Sequence, residues 1–438
     1  MELFEQIKKG ERSLLVDAQF FDPSDQTDSD INELKALVAA AGWQVVTTIH
    51  TKRSRPDPKY FVGSGKVDEI SSIIKSDDIH LVIFNHNITP AQERNLTKML
   101  PECRIVDRTR VVLDIFALRA RTYEGRLQVE LAQLNYQATR LVRAWTHLER
   151  QKGGIGLRGG PGEKQIELDR RMIRNRIRTL EEKIDKVRSQ RALSRSVRKK
   201  SHIPTVSLVG YTNAGKSTLF NAITGADAFV KDQLFATLDT TLRKSSLAFY
   251  GEVIFSDTVG FIRNLPHDLV DAFRATLEET AQADLLLHVV DQSDEHYRSY
   301  IHQVKQVLKE IDADHVPILE VYNKIDLADA TKVVPHVDYD QEKLVPRRVW
   351  CSAQSGLGID LLKEAISLCL SKDEVSGKIV IEAKYARLRA QLYQIGAVVS
   401  EDTDENGNIM LNIRCRFYKL KSICDDNALE LGDIFYQH

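Results

Sequence analysis

Short apolar runs alternate with amphipathic stretches over residues 1–120. Helical spacing of the apolar positions predicts helices at 30–41, 67–74 and 91–100. Runs typical of strands occupy 43–49, 81–84 and 103–106. Because strands alternate with helices, this segment is predicted to form a small α/β domain with a parallel sheet covered on both faces.

Long amphipathic helices replace this pattern over residues 121–202. One helical pattern covers 127–148, and a second runs from Lys164 to about Lys186. Between them, 153–162 contains six glycines in ten residues. We therefore predict an antiparallel helical pair joined by a flexible loop, followed by a short basic linker at 194–202.

Alternating strands and helices return over residues 203–371 and predict a doubly wound α/β sheet. The remaining segment, 372–438, is predicted to be a small α+β domain in which Asn406-Gly407 forms a hairpin turn. The predicted strands of the larger sheet are 205–209, 253–256, 285–290, 318–322 and 348–351.

Composition narrows the class of protein. The 438 residues are 42% hydrophobic and 28% charged, which predicts a globular chain of several domains. No apolar run approaches the ~18 residues of a membrane span, and no secretory signal pattern is evident at the start. The five cysteines are scattered without a CxxC pair, so neither a disulfide framework nor a zinc site is indicated. A reduced, cytoplasmic location is therefore predicted.

Positive charge is concentrated in one segment, although the whole chain has a net charge of −1. Residues 141–200 contain 18 Lys and Arg against 7 Asp and Glu. Such an excess favours a polyanionic partner. A solvated charged helix is the alternative interpretation.

A phosphate-binding loop is the first chemical signal. The segment Gly210-Tyr-Thr-Asn-Ala-Gly-Lys-Ser217 follows a predicted strand and precedes a helical pattern, as this motif requires. Its backbone N–H groups can wrap a phosphate at the helix N-terminus. Lys216 is predicted to neutralise the β- and γ-phosphates, and the Ser217 hydroxyl is predicted to coordinate Mg²⁺.

A second signal, Asp257-Thr-Val-Gly260, ends the predicted strand at 253–256. Ligands of such sheets bind at the carboxyl ends of the strands. Asp257 can hold Mg²⁺ through water there, and the Gly260 N–H can meet a γ-phosphate and release it after hydrolysis.

The third signal, Asn323-Lys-Ile-Asp326, identifies the base. A carboxylate can accept hydrogen bonds from N1–H and the N2 amino group of guanine, whereas adenine would leave a buried Asp326 unpaired. Asn323 is predicted to brace the loop, and the stem of Lys324 to cover the ring. Backbone N–H groups of Ser352-Ala-Gln354 are predicted to meet guanine O6.

A shorter glycine motif, Gly63-Ser-Gly-Lys66, lacks the full phosphate-loop spacing. A turn that caps the helix from Val67 is the favoured interpretation. A second nucleotide site is the alternative.

Taken in this order, the motifs resemble those of the HflX family of GTPases. The resemblance includes Phe235-Ala-Thr-Leu-Asp239, Tyr60-Phe-Val-Gly-Ser-Gly-Lys66 and the glycine-rich segment at 153–163, and it covers about residues 30–370. It implies that Thr237 is the switch residue that meets Mg²⁺ and the γ-phosphate. Thr237, Thr240 and Thr241 cannot be distinguished from the residues alone. Thr240 stands where the family pattern would have proline.

The resemblance implies a GTPase that binds the large ribosomal subunit and its rRNA and splits stalled or idle ribosomes. Two other functions remain open: a GTPase in large-subunit assembly, and a nucleotide-dependent RNA-remodelling factor that uses the N-terminal domain. We expect a monomer. The candidate RNA contacts are Arg158, Arg171, Arg174 and Arg178, for which a solvated face or an intrahelical ion pair is the alternative. Arg143 and Trp145 are expected to pack instead.

The catalytic residue is unassigned, because Phe261 follows Gly260 where Ras-like sites have a water-orienting glutamine. We therefore predict slow turnover until a partner, such as the ribosome, completes the site. Resemblance to K⁺-stimulated GTPases makes Asn213 a candidate K⁺ ligand; an ordinary loop-stabilising side chain is the alternative. The predicted nucleotide and Mg²⁺ contacts are Gly210, Tyr211, Thr212, Asn213, Ala214, Gly215, Lys216, Ser217, Phe235, Ala236, Thr237, Leu238, Asp239, Asp257, Thr258, Val259, Gly260, Asn323, Lys324, Ile325, Asp326, Ser352, Ala353 and Gln354.

Overall fold

Within the residues that it describes, the structure, a computed structural model, contains three sheets with their covering helices and a pair of long helices. It describes residues 10–20, 27–143, 161–200, 203–225, 234, 235, 237, 238, 240–247, 250–262, 279–327, 334–340, 345–371, 374–381, 386–403, 409–416, 420, 423 and 427.

The first sheet is parallel, with strand order β2-β1-β3-β4. Successive residues of β1 face opposite sides of the sheet. Leu15 packs in a cluster with Leu34 and Val112, whereas Leu14 packs in a second cluster with Ile70. The predicted parallel sheet with two covered faces is therefore confirmed. Its elements are β1 (Arg12–Phe20), α1 (Thr27–Ala40), β2 (Gln44–Arg53), α2 (Ser64–Asp77), β3 (Leu81–Phe84), α3 (Pro90–Met99), β4 (Arg104–Asp107) and α4 (Arg108–Arg119).

The sequence patterns did not predict β1 or α4. Both elements are buried almost throughout, so neither has a polar face that would reveal its period. In β1 the buried polar residues Ser13 and Asp17 also interrupt the apolar run.

The short glycine motif forms the start of α2. Gly63 is its N-cap residue, and Lys66 pairs with Glu69 at 2.7 Å. This geometry agrees with the favoured interpretation of a helix-capping turn.

Two antiparallel helices follow, α5 (Tyr123–Arg143) and α6 (Pro161–Lys200). Their shared core includes Leu134 and Ile173, and Arg176 contacts Glu130 at 2.6 Å. The prediction of a linker at 194–202 is wrong for residues 194–200, because α6 continues to Lys200. Basic residues are good helix formers, so a run of charge does not end a helix.

The candidate RNA contacts fall partly on α6. Arg171 and Arg174 are exposed, and Arg178 pairs with Glu182 at 3.4 Å, so the intrahelical alternative holds for Arg178. Arg158 and Trp145 lie outside the described residues, as do 153–160 of the glycine-rich segment, and no side chain is described for Arg143.

The second sheet has seven strands in the order β10-β11-β9-β8-β5-β7-β6. The five strands from β11 to β7 are parallel and correspond to the five predicted strands; β10 and β6 pair antiparallel at the two edges. Both edge strands are mostly polar and exposed, as is usual for edges, and the apolar pattern therefore missed them. The elements are β5 (Thr205–Gly210), α7 (Lys216–Thr224), β6 (Thr241–Leu247), β7 (Gly251–Asp257), β8 (Leu285–Asp291), α8 (Tyr297–Glu310), β9 (Ile318–Asn323), β10 (His336–Tyr339), β11 (Pro346–Trp350) and α9 (Ile359–Leu370).

The third sheet is antiparallel, with the order β12-β14-β13, and with its helix it forms the predicted α+β unit. Thr403 pairs with Ile409 across the proposed hairpin, whose turn residues Asn406 and Gly407 lie outside the described residues. Within the described part of the chain, no helix has the length and apolar character needed to cross a lipid bilayer. The elements are β12 (Glu374–Ile381), α10 (Ala386–Gln394), β13 (Val398–Thr403) and β14 (Ile409–Arg416).

Candidate nucleotide site

Glycine is required at both ends of the phosphate loop. Gly215 has a φ of +88°, and a Cβ atom there would lie 2.3 Å from the Asn323 side-chain amide. A Cβ atom on Gly210 would lie 2.3 Å from the Val289 carbonyl oxygen. The loop is therefore packed directly between β8 and the end of β9, as close backbone approach requires.

Lys216 begins α7 and is only 6% exposed. Its ammonium group donates to the carbonyl oxygens of Gly210 at 3.1 Å and Tyr211 at 2.7 Å. Burial lowers the pKa of Lys216 to about 8, against the opposing effect of Asp257. Burial disfavours the charged form of this ammonium group, and a neighbouring anion would favour it again. The buried lysine is therefore suited to binding a phosphate.

Three oxygen-bearing side chains meet next to the loop. The Ser217 hydroxyl lies 2.7 Å from the Thr237 hydroxyl and donates to Asp257 at 2.7 Å, and Thr237 donates to the same carboxylate oxygen at 3.0 Å. Among the three candidate threonines, Thr237 is the one that makes these contacts. The structure thus brings together residues from the phosphate loop, the 235–239 segment and the end of β7.

This cluster fits Mg²⁺. Its donors are hard oxygens, and the second oxygen of the Asp257 carboxylate is buried without a hydrogen-bond partner. Burial raises the pKa of Asp257, with hydrogen bonds from Ser217 opposing the rise. A divalent cation would favour the ionised carboxylate.

Asn323 joins the phosphate loop to the segment after β11. Its amide donates to the Ala214 carbonyl at 2.9 Å and accepts from the Ala353 N–H at 2.9 Å. Lys324, in a left-handed conformation, contacts Asp291 at 2.7 Å. The predicted bracing role of Asn323 is therefore present in the geometry.

The Asp326 side chain is exposed, so its carboxylate is accessible to a base, and its burial against bound guanine stays a prediction. It lies beyond the carboxyl end of β9, where the chain turns outward after the buried Ile325. The N–H of Ser352 donates to the Leu357 carbonyl and that of Ala353 to Asn323. Contact between the 352–354 segment and guanine O6 stays a prediction.

Phe261 is a core residue and has no polar atom to offer a water molecule. Its ring packs with Val209 and Leu286, its N–H donates to the Gly210 carbonyl at 3.1 Å, and its carbonyl accepts from Thr212 at 2.8 Å. These two bonds fasten the 257–261 segment to the phosphate loop.

We expect Gly260→Ala to lower kcat for GTP at least tenfold. A Cβ atom at this position would lie 2.8 Å from the Thr212 methyl group and 2.9 Å from the Lys216 ammonium nitrogen. Either the segment or the lysine must move, and misplacement of about 1 Å costs roughly a hundredfold in positioned catalysis. Steady-state GTP hydrolysis measures the effect. Gly251→Ala is the control, since its Cβ would meet nothing within 4 Å, although its φ of +101° adds strain; an equal loss in both variants would contradict the steric argument.

Two of the predicted contacts, Ala236 and Asp239, lie outside the described residues. Phe235 and Leu238 are buried, but against the first domain, which comprises the elements β1 to α4. The centroid of the Phe235 ring lies 4.7 Å from that of Phe116. The Tyr211 hydroxyl donates to the Glu33 carboxylate of α1, and its ring stacks on that of Tyr300 with 4.1 Å between the ring centroids. No local pattern marks such contacts, because the partners are far apart along the chain.

A cavity of about 300 Å³ lies between α1, the phosphate loop and α8, and His288 lines it. His288 is buried, its Nδ1 atom has no hydrogen-bond partner, and burial lowers its pKa to about 4 from 6.5. The neutral form is thus strongly favoured in the folded state.

We expect acid to destabilise the protein through His288. The unfolded chain binds a proton near pH 6.5 and the folded one only near 4, so stability present above pH 6.5 is lost as pH falls towards 4. The loss is on the order of 3 kcal/mol. Denaturant unfolding measures the free energy of unfolding across this pH range, which should fall less steeply with acid in His288→Leu than in the wild type. His302→Leu, at an exposed histidine, is the control and should follow the wild type. Parallel curves for all three proteins would contradict the prediction.

Family models match over three consecutive ranges: GTP-binding GTPase N-terminal at residues 28–117, GTP-binding GTPase Middle Region at 119–198, and 50S ribosome-binding GTPase at 205–324. A curated GTPase HflX from Escherichia coli (strain K12) is 50% identical over 422 residues, covering 96% of this chain and 97% of that protein. The chain belongs to the HflX GTPase family.

A second HflX relative, from Caldanaerobacter subterraneus subsp. tengcongensis, is 45% identical and covers 92% of this chain and 91% of its own length. The resemblance noted from the motifs is thereby confirmed, as are the P-loop GTPase fold and the class of enzyme: as an HflX GTPase, the protein hydrolyses GTP to GDP and phosphate.

Among solved structures, a GTP-binding protein from Sulfolobus solfataricus in complex with GDP aligns with a TM-score of 0.43 and 22% identity. The alignment covers 83% of this chain and 99% of that one.

Proposed function

We propose that this HflX GTPase is a nucleotide-dependent switch that binds the large ribosomal subunit and splits stalled or idle ribosomes. The observation that supports the switch is the meeting of Ser217, Thr237 and Asp257. These residues come from three separate segments and contact one another within 3.0 Å. A ligand that binds all three segments stabilises this arrangement, and its loss releases two of them.

Each group has a distinct role in this proposal. Lys216 and the loop N–H groups hold the phosphates, and Asp326 accepts hydrogen bonds from the guanine edge. Ser217 and Thr237 would hold Mg²⁺, which neutralises charge on the phosphates, and Asp257 would hold it through water. The Gly260 N–H meets the γ-phosphate, so hydrolysis at that position removes the contact between Gly260 and the nucleotide.

Turnover is proposed to depend on the partner. The residue after Gly260 is the buried Phe261, whose side chain cannot orient water. A group from the ribosome would complete the site, so the isolated protein hydrolyses GTP slowly. Asn213 is exposed in a left-handed conformation and is proposed as a K⁺ ligand. Equal activity in Na⁺ and K⁺ would remove that assignment.

Support for a ribosomal partner comes from two sources. The GTPase domain matches the model described as a 50S ribosome-binding GTPase. The basic helix α6 presents exposed Arg171 and Arg174, and phosphate neutralisation by such residues drives binding to RNA. We accordingly propose a cytoplasmic protein that acts as a monomer on the ribosome.

The decisive experiment combines binding and splitting. Sedimentation with purified ribosomal subunits in GDP, GTP and a non-hydrolysable GTP analogue should show binding to large subunits that is strongest with the triphosphate. Light scattering of intact ribosomes should then fall when protein and GTP are added together. Binding to immature but not mature large subunits would favour the assembly function instead, and nucleotide-independent binding would contradict the switch.

A further inference from the structure

The nucleotide switch is packed into the first domain. Leu234, Phe235 and Leu238 lie in one apolar cluster with residues of α1, α4 and α5, and Val259 and Ile262 join the same cluster. Both segments that flank the Mg²⁺ ligands therefore share a core with another domain. Residues of a continuous core cannot move independently without opening a cavity.

Phe235 is the centre of this contact. It is 2% exposed, and its ring meets that of Phe116 edge-on at 81°, a favourable aromatic geometry. Phe116, on α4, is 1% exposed. Phe235 also has a φ of +55°, a conformation that costs a non-glycine residue energy unless its surroundings impose it. The cluster around Phe116 provides that constraint.

Thr237 follows two positions later and reaches the phosphate side. Its hydroxyl contacts Ser217 and Asp257 while the ring of Phe235 is held by α4. One short segment thus has an aromatic anchor in the first domain and a hydroxyl in the nucleotide site. Moving the anchor displaces the hydroxyl.

A second contact ties the same domain to the phosphate loop. Tyr211 donates to Glu33, and the Glu33 carboxylate is held by Arg108 at 2.6 Å. Arg108 and Phe116 belong to α4, so that helix supports both sides of the site directly or through Glu33.

We propose that Phe116 is a positioning residue: by anchoring Phe235, it places the Thr237 hydroxyl for the triphosphate. Docking of the first domain therefore raises the affinity for GTP relative to GDP. This inference rests on the role given to Thr237 in the proposed function. Only the triphosphate offers an oxygen for the switch segment, so weaker anchoring reduces triphosphate affinity and leaves diphosphate affinity unchanged. By linkage, the triphosphate strengthens domain docking by the same factor.

The test measures affinities for GDP and for a non-hydrolysable GTP analogue, in Mg²⁺, by equilibrium titration. We expect Phe116→Ala to lower the ratio of triphosphate to diphosphate affinity roughly tenfold, within the usual range of coupling between sites. Phe116→Leu should show a smaller fall in the same direction and covers the case in which the alanine variant does not fold. Phe84→Ala and Phe84→Leu are the matched controls, because Phe84 is fully buried in the same domain but in the cluster on the other face of its sheet.

A double-mutant cycle with Thr237→Ala gives the second measurement. If Phe116 acts through Thr237, the two substitutions are non-additive in triphosphate affinity. An unchanged ratio in the Phe116 variants, or an equal fall in the Phe84 variants, overturns the inference while the switch itself stands. A wild-type protein that binds both nucleotides equally overturns the inference and the proposed switch together.

Discussion

Replacement of Lys216 by alanine is expected to lower kcat/KM for GTP about a hundred- to a thousandfold. The ammonium group is buried beside Asp257, at the point where the phosphate loop enters α7. A preorganised charge in a water-excluded site is worth this much when it faces developing negative charge. Steady-state hydrolysis and nucleotide titration on the same preparation separate lost binding from lost chemistry.

Lys66→Ala supplies the matched control. Lys66 also follows a glycine, but it lies in the first turn of α2 and pairs with Glu69 on the protein surface. GTP hydrolysis should remain at the wild-type rate in this variant. Nucleotide hydrolysis that survives Lys216→Ala and disappears with Lys66→Ala would instead support a second site in the first domain.

Asp326→Asn is expected to change the base that the protein prefers. Guanine should bind roughly a hundredfold more weakly or worse, because the asparagine amide keeps one acceptor oxygen but places an N–H donor against the second guanine donor, the N2 amino group. Xanthine has a carbonyl at position 2, so the asparagine amide can donate to it and XTP should bind better than GTP. Competition titrations with GTP, XTP and ATP measure the order of affinity.

Because Asp326 is exposed, its replacement should leave the unfolding midpoint unchanged. Asp314→Asn is the control: this exposed aspartate precedes β9, at the opposite end of the strand from Asp326. A wild-type order of affinity in Asp326→Asn would show that another group reads the base.

The phosphate loop, Asp257 and Asn323 could be predicted from sequence because each follows a buried strand. The carboxyl ends of neighbouring parallel strands share one edge of a sheet, so local motifs are enough to bring these residues together. The geometry then selects Thr237 from three threonines that the residues alone could not rank.

Other features depend on contacts between distant parts of the chain. Phe116 and Phe235 are separated by more than one hundred positions, and nothing near either residue indicates the other. The exposure of Asp326 depends on how the loop leaves β9, which a four-residue motif does not specify. Edge strand β6 and the final turns of α6 were missed because polar composition alone does not distinguish them from a linker.

The length of α6 has a mechanical consequence. Its 40 residues span about 60 Å, and the helix ends at Lys200, five positions before the strand that carries the phosphate loop. A tilt of about 10° about the Lys200 end would displace the opposite end of a helix of this length by about 10 Å, given the ~1.5 Å rise per residue. Because α6 shares a core with α5, such a tilt would have to move the two helices together.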